Sequence, residues 1–90
     1  MRNINNMNDV HSKEDFVALC EKVSDEVGVD LDFYDEYNES MNLKVVEDDG
    51  NLHISCYEIR GVFGIGQDMR LKEYKRIRDR ILGIMRIIRE

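Results

Sequence analysis

Three glycines between a β-prone run and a basic stretch could form a phosphate-binding turn. Gly61, Gly64 and Gly66 precede the segment MRLKEYKR, and a helix that begins there would point its free amides at an anion. Their spacing is G-x-x-G-x-G, which is neither the dinucleotide-binding nor the Walker pattern, and Asp68 would repel a phosphate. We therefore interpret the glycines as a bulge and a sharp turn, and we expect no nucleotide or other cofactor.

Two histidines and two cysteines supply four soft ligands of the kind that zinc prefers. His53 and Cys56 are three residues apart, and in a strand such residues point to opposite faces, so they could not both bind one ion. His11 and Cys20 do not form the closely spaced pairs that are typical of structural zinc. Cys20 also lies on the apolar side of a predicted helix, where burial opposes a thiolate nucleophile. The sequence predicts two reduced, buried thiols and no metal site.

Five carboxylates crowd the ten positions after Val29, and crowded carboxylates can hold calcium or act in pairs in hydrolysis. An EF-hand loop that begins at Asp30 would need glycine at its sixth position and glutamate at its twelfth, where the chain has Asp35 and Met41. Hydrolysis by paired carboxylates needs a cleft that gives two acids unlike environments, and 90 residues leave little room for one. We expect neither a bound metal nor enzymatic activity.

The formal charge divides the chain into an acidic part and a basic part. The whole chain has 19 Asp and Glu against 13 Lys and Arg, a net charge of −6. Residues 1–58 hold 15 of these acids and four bases, whereas residues 59–90 hold four acids and nine bases. The two parts could neutralise each other within the fold or across a dimer. Alternatively, the acidic part forms a surface for a basic partner.

The acidic run after Val29 also contains three aromatic residues, which supply contact area at low entropic cost. A carboxylate-rich surface with tyrosines fits a groove built for nucleic-acid phosphates, and long-range attraction would speed its docking. We therefore expect this run, with residues 47–49 as a second acidic patch, to bind a basic groove on a partner such as a nuclease or a nucleoprotein complex. The predicted partner-binding residues are Asp30, Asp32, Phe33, Tyr34, Asp35, Glu36, Tyr37, Glu39, Glu47, Asp48 and Asp49.

In size and charge the chain resembles small acidic phage inhibitors, including DNA-mimic and anti-CRISPR proteins, although no motif identifies a family. The resemblance implies an inhibitor of a nucleic-acid-handling partner, and an immunity protein or an antitoxin would have the same features. The sequence shows neither a signal peptide nor an apolar run that could span a bilayer. We expect no membrane insertion and a cytoplasmic location, in a bacterium or a phage-infected host cell.

The basic C-terminal segment supports an alternative function, that of a dimeric nucleic-acid-binding regulator. A helix there would carry eight cations that can track phosphates: Arg70, Lys72, Lys75, Arg76, Arg78, Arg80, Arg86 and Arg89. The net charge of −6 opposes this function, because the acidic part would repel the same polyanion at low salt. We therefore favour protein binding over direct nucleic-acid binding.

The first helix and a hairpin have clear local signals. Ser12 can cap a helix by accepting a hydrogen bond from the Asp15 amide, and apolar residues recur at three- and four-residue steps as far as Gly28, where a helix usually ends. Asp49 and Gly50, which lie between two β-prone runs, predict the turn of a hairpin. In the second arm of this hairpin, alternate residues are apolar, so one face can pack under the first helix.

Residues 59–65 either continue the second arm past a bulge at Gly61 or form a third strand, and from Asp68 the chain is predicted to be helical to its end. The order α-β-β-(β)-α predicts an α+β two-layer sandwich, in which both helices pack on one face of an antiparallel sheet. We expect a single domain over residues 1–90, with residues 1–10 frayed.

Apolar residues cover more than half of the circumference of the last helix, and one sheet face cannot cover all of them. The excess predicts a homodimer, in which Gly83 would allow a close helix crossing. The alternative is a wide buried face within a monomer, because a small core needs every apolar residue. The predicted dimer interface consists of Ile77, Ile81, Leu82, Ile84, Met85, Ile87 and Ile88.

Overall fold

A four-stranded antiparallel sheet and two helices form the fold in a computed structural model, which describes residues 3–35, 43–66 and 69–87. After a short 3-10 helix at Met7–Asp9, the elements are α1 (Lys13–Val27), β1 (Asp30–Asp35), β2 (Lys44–Asp48), β3 (Asn51–Cys56), β4 (Ile59–Gly64) and α2 (Leu71–Met85). The order in the sheet is β1-β4-β3-β2. Buried residues of both helices share one core with the buried face of the sheet, which confirms the predicted α+β class.

Helix α1 begins and ends where its capping residues predict. The Ser12 hydroxyl accepts a hydrogen bond from the Asp15 amide at 3.2 Å, and the Asp15 carboxylate accepts one from the His11 amide at 3.0 Å. Gly28 ends the helix in the left-handed conformation, with φ of 72°, and its amide donates to the Ser24 carbonyl. These bonds satisfy backbone groups that a helix terminus leaves free.

The predicted hairpin is confirmed, and a second hairpin follows it. Asp49 and Gly50 both have positive φ, as the two central residues of a type I′ turn require, and they join β2 to β3. Tyr57 and Glu58 also have positive φ and join β3 to β4, although neither residue type favours that conformation. Of the two alternatives for residues 59–65, the separate strand is therefore correct, and it is β4. Gly61 pairs in register with a residue of β3, so the predicted bulge is wrong.

Strand β1 is the element that the sequence did not predict. Asp30–Asp35 pairs antiparallel with β4 along its whole length, within a run that had no recognisable strand period. A period exists, since Leu31 and Phe33 are partly buried whereas Asp30 and Asp32 are exposed. Aspartates are rare in strands, and here they are tolerated because the strand lies at the edge of the sheet.

Helix α2 is shorter than predicted at both ends. It begins at Leu71 and ends at Met85, after which Arg86 adopts the left-handed conformation with φ of 55°. The Arg86 amide donates to the Gly83 carbonyl and the Ile87 amide to the Leu82 carbonyl, which is the bonding of a closed helix end. Ile87 therefore lies beyond the helix.

Three of the six described residues of the predicted dimer interface are buried in the core of the single chain. Ile81 and Met85 are fully buried and Leu82 is 6% exposed, so none of the three has a surface left for a second copy. The other described members, Ile77, Ile84 and Ile87, are only partly buried against the core. Ile88 lies outside the described residues. A homodimer through α2 would be limited to this smaller surface, and it stays a prediction that light scattering would test.

Ile4, Met7 and Val10 of the N-terminal segment pack in or against the core, and the fraying of residues 1–10 stays a prediction. Asn6 and Asp9 cap the 3-10 helix reciprocally, and Lys22 of α1 donates to the Asn5 side chain at 2.8 Å. Val10 is 6% exposed and belongs to the core. This segment therefore covers one side of α1.

Gly61 allows α1 to approach the middle of the sheet. A Cβ atom at this position would lie 3.3 Å from the Cys20 Sγ atom and 3.6 Å from the Leu31 Cδ1 atom, and the backbone φ is not in the left-handed region. The reason for glycine here is thus close packing rather than an unusual backbone conformation. Gly64, three residues later on the opposite face, has more space, with its nearest atom at 3.8 Å.

We predict that Gly61→Ala lowers the free energy of unfolding by about 1–3 kcal/mol, because the added methyl group overpacks the contact between α1 and β4. The loss should be smaller in a Cys20→Ala background, in which the Sγ atom no longer occupies the space. Urea unfolding of the two single variants and the double variant measures this coupling. Gly64→Ala is the matched control and should have the smaller effect; equal losses for the two glycines would contradict the prediction.

Candidate functional site

The strand register divides the sheet into a helix-covered face and an open face. Directly opposed residues of antiparallel strands share a face, and alternate residues change face. Among the described residues, neither helix packs on the open face, because the core lies entirely on the other side. The open face carries Asp30, Asp32, Tyr34, Lys44, Val46, Asp48, Asn51, His53, Ser55, Arg60, Val62 and Gly64.

The predicted acidic and aromatic segment is partly in edge strand β1, which divides its side chains between the two faces. Asp30 and Asp32 are exposed on the open face together with Tyr34, which is 55% exposed. Phe33 points to the other face and packs against the core, so it does not project as a surface aromatic. Asp35 is exposed at the end of the strand. Glu36, Tyr37 and Glu39 lie outside the described residues.

The second acidic patch lies at the opposite edge of the sheet. Strands β1 and β2 are separated by three strand spacings, about 14 Å. Glu47 lies on the helix-covered face, where Arg78 of α2 donates to its two carboxylate oxygens at 3.2 and 3.3 Å. Asp48 is on the open face and Asp49 is in the turn. Asp48 therefore shares the open face with the acids of β1, three strand spacings away, whereas Glu47 is held within the chain.

A groove between α1 and β1 adds acids that the sequence analysis did not connect with the site. We call it the acidic groove; its lining residues are Glu21, Ser24, Asp25, Gly28, Val29, Asp30, Leu31 and Phe33. The Ser24 hydroxyl donates to the Val29 carbonyl, which fixes the start of β1 against the last turns of α1. Glu21 and Asp25 are four residues apart on the exposed side of α1. That spacing could have revealed them, because residues four apart share a helix face.

The exposed side of α2 is basic, in contrast to that of α1. Its exposed cations are Lys72, Lys75, Arg76 and Arg80, and the exposed Arg86 follows directly after the helix. Asp79 is an exposed acid among them, whereas Arg78 turns towards the sheet and pairs with Glu47. Because α1 and α2 pack beside each other, an acidic and a basic helix are neighbours in one layer.

The residues considered as metal ligands do not converge. His53 lies on the open face and Cys56 on the helix-covered face, as the spacing predicted. His11 is exposed and Cys20 is fully buried. Within residues 3–35, 43–66 and 69–87, no group of three or more His, Cys, Asp or Glu residues could hold a metal ion. The Nε2 atom of His53 is buried without a hydrogen-bond partner.

Burial keeps both thiols protonated at neutral pH. It raises the pKa of Cys20 to about 12, with a smaller contribution from the neighbouring Cys56. Burial also raises the pKa of Cys56, against the opposing effect of a hydrogen bond from the Tyr57 backbone. Since the thiolate is the nucleophile and the metal ligand, neither cysteine is suited to covalent catalysis.

In comparisons with protein-family models, curated proteins and solved structures, no match to this chain was found. A functional assignment must therefore rest on the surfaces described above. None of the helices in the described part of the chain is long and apolar enough to cross a membrane.

We predict that stability falls as pH rises from 9 towards 12, partly through Cys20. The unfolded thiol titrates near its ordinary pKa of 9.0, whereas the folded pKa is about 12. The stabilisation is therefore complete below pH 9 and is lost above it, by up to about 1.4 kcal/mol per pH unit. Urea unfolding at pH 7.5, 9 and 10 should show a steeper decline in stability for the wild-type chain than for Cys20→Ala. The variant keeps Cys56 and Tyr74, whose pKa values burial also raises, so the difference reports Cys20 alone. Equal slopes would contradict the prediction.

Proposed function

We propose that this protein is a non-enzymatic inhibitor that docks its acidic side on a basic groove of a nucleic-acid-handling protein, such as a nuclease or a nucleoprotein complex. The observation that carries the proposal is the clustering of acids at β1 and the acidic groove. Asp30, Asp32 and Asp35 are exposed on β1, and Glu21 and Asp25 are exposed on α1 beside it. A basic groove that binds phosphates offers the complementary charge.

The strand conformation of β1 supports tight docking. Carboxylates held on a paired strand lose less conformational entropy on binding than carboxylates on a free loop. Tyr34 lies on the same face as Asp30 and Asp32, and a half-exposed tyrosine combines apolar contact area with a hydrogen-bonding group. Charge-assisted hydrogen bonds from a partner's arginines to such carboxylates are roughly twice as strong as neutral ones.

The basic side of α2 supports a second candidate function, nucleic-acid binding by a small regulator. Four exposed cations on α2 could track a phosphate backbone, while the acids of β1 face away on the open side and edge of the sheet. Opposing this, the exposed acids of α1 lie next to α2 in the same layer and would repel the polyanion. An immunity protein or an antitoxin would use the acidic side, as the inhibitor does.

We predict that replacing Asp30, Asp32 and Asp35 with asparagine weakens partner binding at least tenfold, because it removes three charges but keeps the side-chain shape. Affinity capture from a lysate of the native host, treated with nuclease to remove nucleic acid, would identify the partner. Calorimetric titration of the purified partner with the wild-type and variant chains would then give the affinities. Binding of the wild-type chain should also weaken with added salt.

The matched control is Arg76→Ala with Arg80→Ala, which removes two exposed charges of the opposite sign from α2. It should bind the partner like the wild-type chain, and circular dichroism should show both variants folded. If the aspartate variant binds normally and the arginine variant does not, the proposal is wrong and α2 is the functional surface. Fluorescence anisotropy with labelled duplex DNA then tests the regulator, whose binding should fall in the arginine variant.

A further inference from the structure

Strand β1 has one edge that no other described strand occupies. It lies at the end of the sheet order and pairs only with β4, so its outer N–H and C=O groups have no strand partner among the described residues. Six residues of extended backbone give an edge about 20 Å long. Such an edge can accept a further strand, whose main-chain hydrogen bonds supply affinity and whose alternate side chains supply specificity.

The acidic groove runs along this same edge, on the side of α1. Val29, Leu31 and Phe33 line it and are only partly buried, so they offer apolar surface to a side chain that enters the groove. The charged residues that line it, Glu21 and Asp25 of α1 and Asp30 of β1, are all acidic. On the open face, the same edge presents Asp30, Asp32 and Tyr34. The two sides of the edge thus differ. The groove side has an apolar surface bordered by acidic residues, whereas the open side presents two carboxylates and a tyrosine.

The opposite edge of the sheet is organised differently. Arg78 of α2 forms a salt bridge with Glu47 of β2, so α2 is linked to that edge strand through a side chain. Lys44 begins β2, and an edge lysine opposes strand addition. The β1 edge therefore differs from the β2 edge in its exposed acids and in the acidic groove beside it. These acids would favour an added strand that carries positive charge.

The charges on β1 disfavour a second copy of this chain at the same edge. Twofold antiparallel pairing of two β1 strands about Asp32, with their open faces on the same side, would place Asp32 opposite Asp32, and like charges directly opposite each other are destabilising. A segment with basic residues in those places would instead gain attraction. The edge is therefore suited to a basic segment rather than to self-association.

We propose that an extended segment of the partner, in which lysines or arginines alternate with apolar residues, adds to the outer edge of β1 as a fifth strand. Its basic side chains lie on the open side, near Asp30 and Asp32. Its apolar side chains enter the acidic groove and contact Leu31 and Phe33, while Glu21 and Asp25 attract the segment over a longer range. This inference rests on the proposed function and specifies its mode of binding.

The test uses an acetylated and amidated eight-residue peptide of alternating lysine and valine, with two N-methylated forms. One form carries methyl groups on its lysine amides and the other on its valine amides, so that charge is unchanged. In a strand, alternate amides point to the same side, so only one of the two forms would lose the hydrogen bonds to β1. We expect that form to bind at least tenfold more weakly than the parent peptide, and the other form to bind within about twofold.

Titration of the isotope-labelled chain, followed by NMR of its amides, measures the affinities and maps the contact. Binding of the parent peptide should shift the β1 resonances and slow hydrogen exchange at alternate β1 amides. The Asp30→Asn, Asp32→Asn variant should bind at least tenfold more weakly, whereas Arg76→Ala with Arg80→Ala should bind unchanged.

Equal binding of both methylated forms would overturn strand addition, because attraction by charge alone ignores the peptide amides; the proposed function would survive that result. Strand addition would also be overturned if the peptide shifted only the resonances of α2, or none of those of β1. Failure of the proposed function is recognised separately: the identified partner would then bind the triple variant, with Asp30, Asp32 and Asp35 replaced by asparagine, as well as it binds the wild-type chain.

Discussion

The burial of one face of the central strands beneath both helices is the constraint on which the rest of this structure depends. Leu52 and Ile54 of β3 and Phe63 of β4 are fully buried, together with Phe16 and Leu19 of α1. Because side chains in a strand alternate with a period of two, this burial fixes the register of all four strands. It also leaves the second face open and places β1 and β2 at the edges, with polar and charged residues where water can reach them.

The same constraint converts a division of charge along the sequence into a division in space. The acidic part supplies α1 and the edge strand β1, whereas the basic part supplies the exposed side of α2. Some charges are used within the chain, as in the pairs Arg78–Glu47 and Lys13–Glu58. Surface pairs of this kind contribute only about 0–1 kcal/mol each. The exposed charges that remain on β1 and α2 therefore contribute little to stability.

In the proposed strand addition, the acids of β1 would meet two requirements that usually conflict at an edge strand. An open edge invites pairing with other copies, which charged residues on the strand oppose. A binding edge must nevertheless accept its partner, and fixed negative charges do so selectively when the partner is basic. Leu31 and Phe33 line the groove side of β1, where they would supply apolar contact area in the proposed mode of binding.

Local signals in the sequence determined the class of fold, both ends of α1, the turn at Asp49 and Gly50, and the burial of two thiols, because caps, turn residues and apolar periods act within a few residues. Tertiary structure decided the remainder. Strand β1 exists because β4 pairs with it, the turn at residues 57–58 forms against the preference of its residue types, and Arg86 ends α2 without a glycine. For the candidate site, the sequence identified the acids and Tyr34, but not that Phe33 would turn inward, that Arg78 would hold Glu47, or that Glu21 and Asp25 would line a groove beside Asp30. The pairing of Arg78 with Glu47 depends on a contact between residues 31 apart in the chain, and the other two outcomes depend on how β1 packs against α1 and β4, which no local pattern encodes.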